Sequence, residues 1–314
     1  LYSEDGNLAL LFNGEIYNFM ELRGELAEAG HVFATDHSDT EVLLHGYEQW
    51  GVDLLQRVRG MFTFVIWDKN KQELFGARDH FGIKPFYYAK MNGTFMYASE
   101  IKSLLRHPDF VKELNAEALK PYMTFQYPAI GETFFKGVYK LPEGHYFTYR
   151  DGKMDIHRYY DEDFREGKQK LGELVNSIDQ TVCDSVKAHQ IADVEVGSFL
   201  SSGVDSSYVA AVARPQHTYS IGFGKGTYNE SQQAGELAEL LKLNNTAESL
   251  TDEEAFAAFP RIQWHLDEPD SNPSCVPLYF LSALAAKDVK VVLSGEGADE
   301  LFAGYIDYGV HTKF

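Results

Sequence analysis

Two short acidic stretches hold the residues best suited to chemistry. Val194 to Tyr208 reads VEVGSFLSSGVDSSY, and Ser294 to Tyr305 reads SGEGADELFAGY. In the first, Val194, Val196 and Leu200 are β-formers closing a buried strand. Ser201, Ser202 and Gly203 carry so little bulk that a phosphate can approach their backbone N–H groups. Ser206 and Ser207 open an apolar helix, Tyr208 to Val212, whose positive end favours an anion. The lysine that a G-x-x-x-x-G-K-[ST] loop requires does not follow Gly203. An aspartate, Asp205, stands inside the turn instead, which suits an anion delivered with a divalent cation.

The second stretch repeats this logic at the end of the strand Val289 to Leu293. Each of its acids, Glu296, Asp299 and Glu300, needs solvent, a cation or hydrogen bonds. Asp205 and Asp299 can converge on Mg²⁺ bridging a triphosphate, leaving Glu296 for proton transfer or intermediate stabilisation. Either turn alone would serve as a solvated helix cap. Two such turns at strand ends, where open α/β sheets bind ligands, point to a nucleotide site.

The elements that must position these groups fall into two patterns. In the first half, the strand Leu8 to Phe12 is predicted to end at a turn, Asn13-Gly14-Glu15, followed by a helix over Ile16 to Glu28. Asn13 and the Gly14 N–H there could donate to an oxyanion. Ser38 or Asp39 is a good N-cap for a helix carrying Val42, Leu43, Leu44 and Tyr47. Hairpins are predicted over 60–77, 86–98 and 141–160, with a rigid turn over Arg78 to Pro85. Paired strands with few helices imply an antiparallel α+β domain over residues 1–160. The charged stretch 161–170 (DEDFREGKQK) reads as a linker. From 171 to 314, a long amphipathic helix (Leu171 to Val186) precedes strands alternating with helices, which imply a parallel doubly wound sheet.

With 314 residues, 44% of them hydrophobic and 24% charged, the chain has the mix of an ordinary globular protein of two domains. A net charge of −19 argues against a nucleic-acid backbone as partner. The two cysteines, Cys183 and Cys275, form neither a disulfide framework nor a metal spacing, and a reduced cytoplasmic setting fits them. No apolar run reaches membrane-spanning length, so no membrane partner is expected. The start at Leu1 and the stop at Phe314 read as cut ends of a longer protein.

The pair SSGVDSS and SGEGADELFAGY, preceded by NGEIYN, SDTEV, RDHFGIKPFYY and ASEIKSLL, resembles glutamine-hydrolysing asparagine synthetases of the B type. The resemblance runs in order over essentially the whole chain. It implies an N-terminal nucleophile (Ntn) hydrolase-type glutaminase domain that releases ammonia from glutamine. Behind it, the resemblance implies an α/β pyrophosphatase-type domain (PP-loop, adenine nucleotide α hydrolase-like) that activates aspartate with ATP as β-aspartyl-AMP. Glutamine, aspartate and ATP are the implied small-molecule partners, ATP and Mg²⁺ the cofactors, and a homodimer is one compatible assembly. By resemblance, Asn13, Gly14 and Glu15 match the glutamine-binding turn and Asp39 the acid holding the glutamine amine. Phe199 and Ile221 match ATP-contacting positions, and Ser201, Ser202, Gly203, Asp205, Ser206 and Ser207 match the pyrophosphate loop. Ser294 and Gly295 match further ATP contacts, Glu296 the residue tied to the acyl-adenylate, and Asp299 a second Mg²⁺-linked acid. Tyr305 matches a tyrosine of the synthetase pocket.

Two departures bear on this. Ser202 replaces the second residue of the usual SGGxDSS loop, which serves only if that position does not demand φ > 0. The family's nucleophile is an amino-terminal cysteine, and this chain begins at Leu1. The expectation is that the full-length protein is the enzyme and that this stretch alone does not hydrolyse glutamine. Two other classes stay open: an amidotransferase or β-lactam-synthetase-like enzyme acting on another carboxylate, and a non-catalytic nucleotide-binding protein.

Overall fold

The computed structural model describes residues 1–163, 165, 167–223, 230–305 and 308, so Phe164 and Glu166 of the expected linker lie outside the described residues. The chain divides into two compact units, Leu1–Gly167 with Leu266–Asp270, and Lys168–His265 with Ser271–Phe314.

The first unit runs β1 (Leu8–Ile16), α1 (Phe19–Glu28), α2 (Asp39–Trp50), β2 (Gly60–Asp68), β3 (Glu73–Arg78), β4 (Tyr87–Met91), β5 (Thr94–Ala98), α3 (Ile101–Leu104), α4 (Leu119–Phe125), β6 (Val138–Lys140), β7 (His145–Arg150) and β8 (Lys153–Arg158). The strands form two antiparallel sheets, ordered β1-β2-β3-β7-β8 and β5-β4-β6. Strand alternation explains how the larger sheet is covered on both faces. Phe62, Phe64 and Ile66 of β2 point into a core with Leu22 and Leu26 of α1 and Val42, Leu43 and Leu44 of α2. Val65, between them, points the other way, into a cluster with Phe86, Leu141 and Phe147.

The turn expected at Asn13-Gly14-Glu15 is not there: β1 continues through these residues to Ile16, and α1 starts only at Phe19. Gly14 faces Phe62 of β2, and a β-carbon on it would stand 2.2 Å from the Met61 carbonyl oxygen. Its glycine serves close approach of two strands, not a turn.

The stretch from Arg78 to Pro85 is held by its first two side chains. Buried Asp79 accepts four backbone N–H groups, those of Phe62 and Lys84 on one oxygen and of Phe81 and Ile83 on the other. Arg78 donates to the carbonyls of Gly82, Lys84 and Leu141. The segment Leu266–Asp270 belongs to this unit although it comes late in sequence. Asp267 accepts from the Ile101 N–H and pairs with Lys102, and Glu268 accepts from the Phe134 N–H and pairs with Lys140.

The second unit runs α5 (Leu171–His189), β9 (Val196–Phe199), α6 (Val204–Ala213), β10 (His217–Phe223), α7 (Glu230–Leu241), β11 (Asn244–Leu250), α8 (Asp252–Leu266), α9 (Cys275–Ala285), β12 (Val291–Leu293) and α10 (Ala298–Phe302). The sheet is parallel throughout, ordered β11-β10-β9-β12. A capping box starts α8: Thr251 Oγ1 accepts from Glu254 N, and Glu254 Oε2 accepts from Thr251 N. Leu200, Ala210, Ala234 and Ala238 form one core cluster, and Tyr219, Leu284, Ala285 and Val289 another. Chain order moves outward from β9 through β10 to β11, then returns to the other side of β9 at β12. The β9/β12 boundary is therefore where connections leave in opposite directions, and a crevice opens beyond the strand ends there.

Candidate functional site

Both acidic stretches lie at that boundary. After β9, Leu200 is fixed by its N–H to the Tyr219 carbonyl (2.9 Å) and by Ser220 Oγ donating to its own carbonyl (2.7 Å). The chain then turns and enters α6 at Val204, earlier than the expected start at Ser206. Asp205 is thus the second residue of a helix rather than part of the turn. After β12, Asp299 is likewise the second residue of α10. Each helix has a glycine N-cap. Gly297 has φ 89°, a conformation that favours glycine, whereas Gly203 has φ −70° and needs none. Ser202 is not among the residues of positive φ, so serine fits this position without strain.

The serines organise the loop. Ser201 Oγ lies 2.7 Å from Ser206 Oγ and accepts from Gly203 N at 3.1 Å, while the Ser201 N–H donates to Ser206 Oγ at 3.1 Å. Ser207 Oγ donates back to the Gly203 carbonyl at 2.6 Å, which turns it away from the opening. The two acidic loops touch. A β-carbon on Gly295 would stand 2.8 Å from Asp205 Cβ and 2.9 Å from the Ser206 nitrogen.

A cavity of about 320 Å³ lies between them. Of the expected residues, Phe199, Ser201, Gly203, Asp205, Ser206, Ile221, Ser294, Gly295, Glu296, Asp299 and Tyr305 line it, whereas Ser202 and Ser207 do not. Its walls differ in chemistry. Phe199, Ile221, Phe223, Pro277, Leu278 and Leu281 make an apolar side, and hydroxyls with Asp205, Glu296, Asp299 and Glu300 make a polar one. Phe223, Ser274, Pro277, Leu278 and Leu281 were not foreseen as site residues. Phe223 ends a strand, and Pro277, Leu278 and Leu281 sit in a helix with Ser274 at its N-cap; the apolar patterns of both elements look like ordinary core. The Tyr305 hydroxyl donates to Glu300 Oε1 at 2.8 Å, and this bond holds its pKa up at about 12, so the phenol stays protonated.

The site fits a metal-bound nucleotide. Two carboxylates supply hard oxygen donors of the kind Mg²⁺ prefers. Small residues leave backbone open to phosphate oxygens, and the apolar side suits a base.

The other expected residues gather in the first unit, at the end of β1. Asp39 Oδ2 accepts the Ile16 N–H at 3.1 Å, so it stands beside Glu15. Ser38, not Asp39, caps α2, accepting from Glu41 N at 3.2 Å. That frees the Asp39 carboxylate to reach across to β1. Asn13 Nδ2 donates to Ser99 Oγ at 3.1 Å on an exposed edge. Beside them Tyr17 is pushed up to about 12 by burial, with Glu15 and Asp79 adding to it. Among the described residues, no helix is long and apolar enough to cross a membrane.

Residues 1–160 match the glutamine amidotransferase domain family, and residues 177–313 match the asparagine synthase family. The chain is 43% identical over 310 residues to asparagine synthetase (glutamine-hydrolyzing) 1 of Bacillus subtilis strain 168, covering 97% of this chain and 49% of that protein. It is 32% identical over 318 residues to asparagine synthetase (glutamine-hydrolyzing) 3 of the same organism, covering 94% of this chain and 51% of that protein. The chain thus spans about half the length of these relatives. Among solved structures, the glutamine phosphoribosylpyrophosphate amidotransferase of B. subtilis complexed with ADP and GMP is a remote likeness. It has 18% identity and a TM-score of 0.36, covering 79% of this chain and 47% of that one.

Proposed function

Because the chain belongs to the glutamine amidotransferase family through residues 1–160 and continues into an asparagine synthase domain, we propose that the whole protein makes asparagine from aspartate, taking nitrogen from glutamine and driving force from ATP. In this reading the first unit is an Ntn-hydrolase-type glutaminase and the second a pyrophosphatase-type (PP-loop) domain, working in the cytoplasm.

The reaction divides between the two sets of residues. Asn13 and Gly14 donate to the oxyanion formed as the glutamine amide is attacked, and Asp39 and Glu15 hold the substrate's polar end. In the second unit the aspartate β-carboxylate attacks the α-phosphorus of ATP. A phosphorus–oxygen bond forms, the bond to the leaving pyrophosphate breaks, and β-aspartyl-AMP remains. Ser201, Gly203 and Ser206 surround the pyrophosphate, Ser207 supports that loop through the Gly203 carbonyl, and Phe199 and Ile221 flank the adenine. Mg²⁺, held by Asp205 and Asp299, would neutralise charge building on the phosphates. Ammonia then adds to the acyl carbon and AMP leaves. Glu296 takes the proton that the attacking nitrogen must lose. Ser294 and Gly295 position the nucleotide, and Tyr305, its single hydroxyl proton given to Glu300, lines the substrate pocket.

One observation carries this reading: Asp205 and Asp299 occupy the second position of helices that start beyond adjacent parallel strands, and both line one cavity. The test is to incubate the full-length protein with glutamine, ATP, Mg²⁺ and aspartate and to follow pyrophosphate and asparagine together. Both should appear in equal amounts, and Glu296→Ala should lose turnover while keeping its fold. Pyrophosphate released only with some other acid would overturn aspartate as substrate. ATP binding with no pyrophosphate from any acid would overturn the adenylation chemistry.

A further inference from the structure

The first unit holds a cluster that the proposed reaction does not use. His31 follows α1, and His45 and Glu48 lie one turn apart on α2. Three donor atoms meet: His31 Nδ1 is 3.2 Å from His45 Nδ1 and 3.6 Å from Glu48 Oε2, and His45 Nδ1 is 3.1 Å from the same oxygen. A tetrahedral zinc ion about 2.0–2.1 Å from each donor needs donors about 3.3 Å apart. The triangle therefore has the size of one face of a zinc site.

The far side of each ring explains why a cation belongs there. His31 Nε2 lies 3.1 Å from Gln49 Oε1, an acceptor. His45 Nε2 is buried with no hydrogen-bond partner, and two carboxylate oxygens stand near it, Glu4 Oε1 at 3.5 Å and Glu41 Oε1 at 3.8 Å. Acceptors opposite both Nε2 atoms favour the tautomer with the proton on Nε2. Both Nδ1 lone pairs then point at each other and at a carboxylate. That arrangement repels itself unless a proton or a metal sits among the three, and one proton cannot bridge all three pairs. Carboxylate and amide acceptors behind metal-bound imidazoles are the usual supporting shell of such sites.

We propose that His31, His45 and Glu48 bind a divalent zinc-type ion, with a fourth position open on the Glu48 side. The His45 side chain is 3% exposed and that of His31 17%, against 30% for Glu48, so solvent reaches the ion from the carboxylate edge. Imidazole and carboxylate donors suit zinc and neighbouring transition metals better than Mg²⁺. The ion would tie the connection between α1 and α2 to α2 itself. That connection leads directly into Ser38 and Asp39, so the ion would steady the approach to the glutaminase residues from outside the reaction.

The test uses the full-length protein, stripped with a chelator and titrated with zinc chloride alone while Mg²⁺ saturates the acidic sites of the second unit. Bound zinc is measured after gel filtration, beside the visible spectrum of the cobalt-loaded protein. His31→Gln and Glu48→Gln are the variants, since both side chains are partly exposed and the apo forms should melt like the unsubstituted apoprotein. The expected result is a single tight equivalent, weakened about 100-fold or more in each variant, with the cobalt ligand-field bands lost and the zinc-induced rise in melting temperature abolished. Zinc bound equally by protein and variants would overturn the proposal, as would a chain that takes up no zinc. Neither result bears on pyrophosphate release, so the synthetase reading stands or falls separately.

Discussion

Gly295 packs directly against Asp205: a β-carbon on the glycine would stand 2.8 Å from the Asp205 β-carbon and 3.1 Å from its carbonyl carbon. The loop after β12 and the first turn of α6 are thus in van der Waals contact with no room to spare. In Gly295→Ala the added methyl meets backbone, which cannot rotate away, so the turn carrying Asp205 must shift. Overpacking of this kind costs about 1–3 kcal/mol of stability. Displacing a reacting group by about 1 Å can cost about 100-fold in rate. The variant should fold, bind ATP more weakly and release pyrophosphate about 100-fold more slowly. Normal turnover in a coupled pyrophosphate assay would mean that the contact does not set the position of Asp205.

Much of this arrangement is legible in the residues, and the failures are instructive. Alternation of strand and helix after Leu171 announces the parallel sheet, and acids at two strand ends announce the cavity. Asn13-Gly14, by contrast, reads as a turn between a strand and a helix and lies inside a strand. Asn-Gly is a turn signal only when the glycine is there for its backbone conformation. Gly14 is there because β2 leaves no space for a β-carbon, a long-range fact that no local pattern carries. The apolar wall from Pro277 to Leu281 was hidden for a similar reason. Its helix is apolar on most sides, and periodicity does not say which side faces a cavity. Asp39 was ambiguous between cap and ligand until Ser38 took the cap.

That reading of Gly14 predicts a contrast between two glycines. In Gly14→Ala the new methyl would lie 2.2 Å from the Met61 carbonyl oxygen, and relief requires β1 to leave its register with β2. The full-length variant should lose glutaminase activity and melt well below the parent. Gly24, within α1, has nothing within 4 Å of an added β-carbon. Gly24→Ala should raise stability by about 0.5–1 kcal/mol through helix propensity. Calorimetry of the two proteins side by side checks both signs, and equal effects would remove the distinction between close approach and backbone freedom.

A pH dependence is built into the Arg78–Pro85 turn. Burial pushes His80 below its ordinary value of 6.5, and Asp79 and Glu162 only partly oppose this. Its ring packs edge-on against Tyr159 and Tyr160 at 5.5 and 4.3 Å. Just below pH 6.5 the unfolded chain therefore takes up a proton that the folded chain refuses. Stability falls as pH drops through this window and levels off once the native imidazole also titrates. Melting temperatures recorded from about pH 7.5 to about pH 5.5, on either side of the unperturbed imidazole, should fall more steeply for the parent than for His80→Gln. Parallel curves would assign the acid sensitivity to other groups.

The same turn makes the stability of the first unit depend on one buried carboxylate. Asp79 is 1% exposed, and its two oxygens accept four backbone N–H groups. Asp79→Asn keeps the shape but turns one oxygen into an N–H donor. If the amide replaces Oδ2, the N–H groups of Phe62 and Lys84 lose their acceptor, and if it replaces Oδ1, those of Phe81 and Ile83 do. Neither orientation satisfies all four, and each buried unpaired donor costs about 1–3 kcal/mol. For a unit of this size, each kcal/mol lowers the melting temperature by about 2–4 °C. Arg78 holds the opposite side of the turn through three carbonyls, so the loop is not free to refold around the change. Differential scanning calorimetry should therefore show a drop of several degrees in Asp79→Asn. A drop within experimental error would mean that water reaches the freed N–H groups, and that the turn is held by Arg78 rather than by the aspartate.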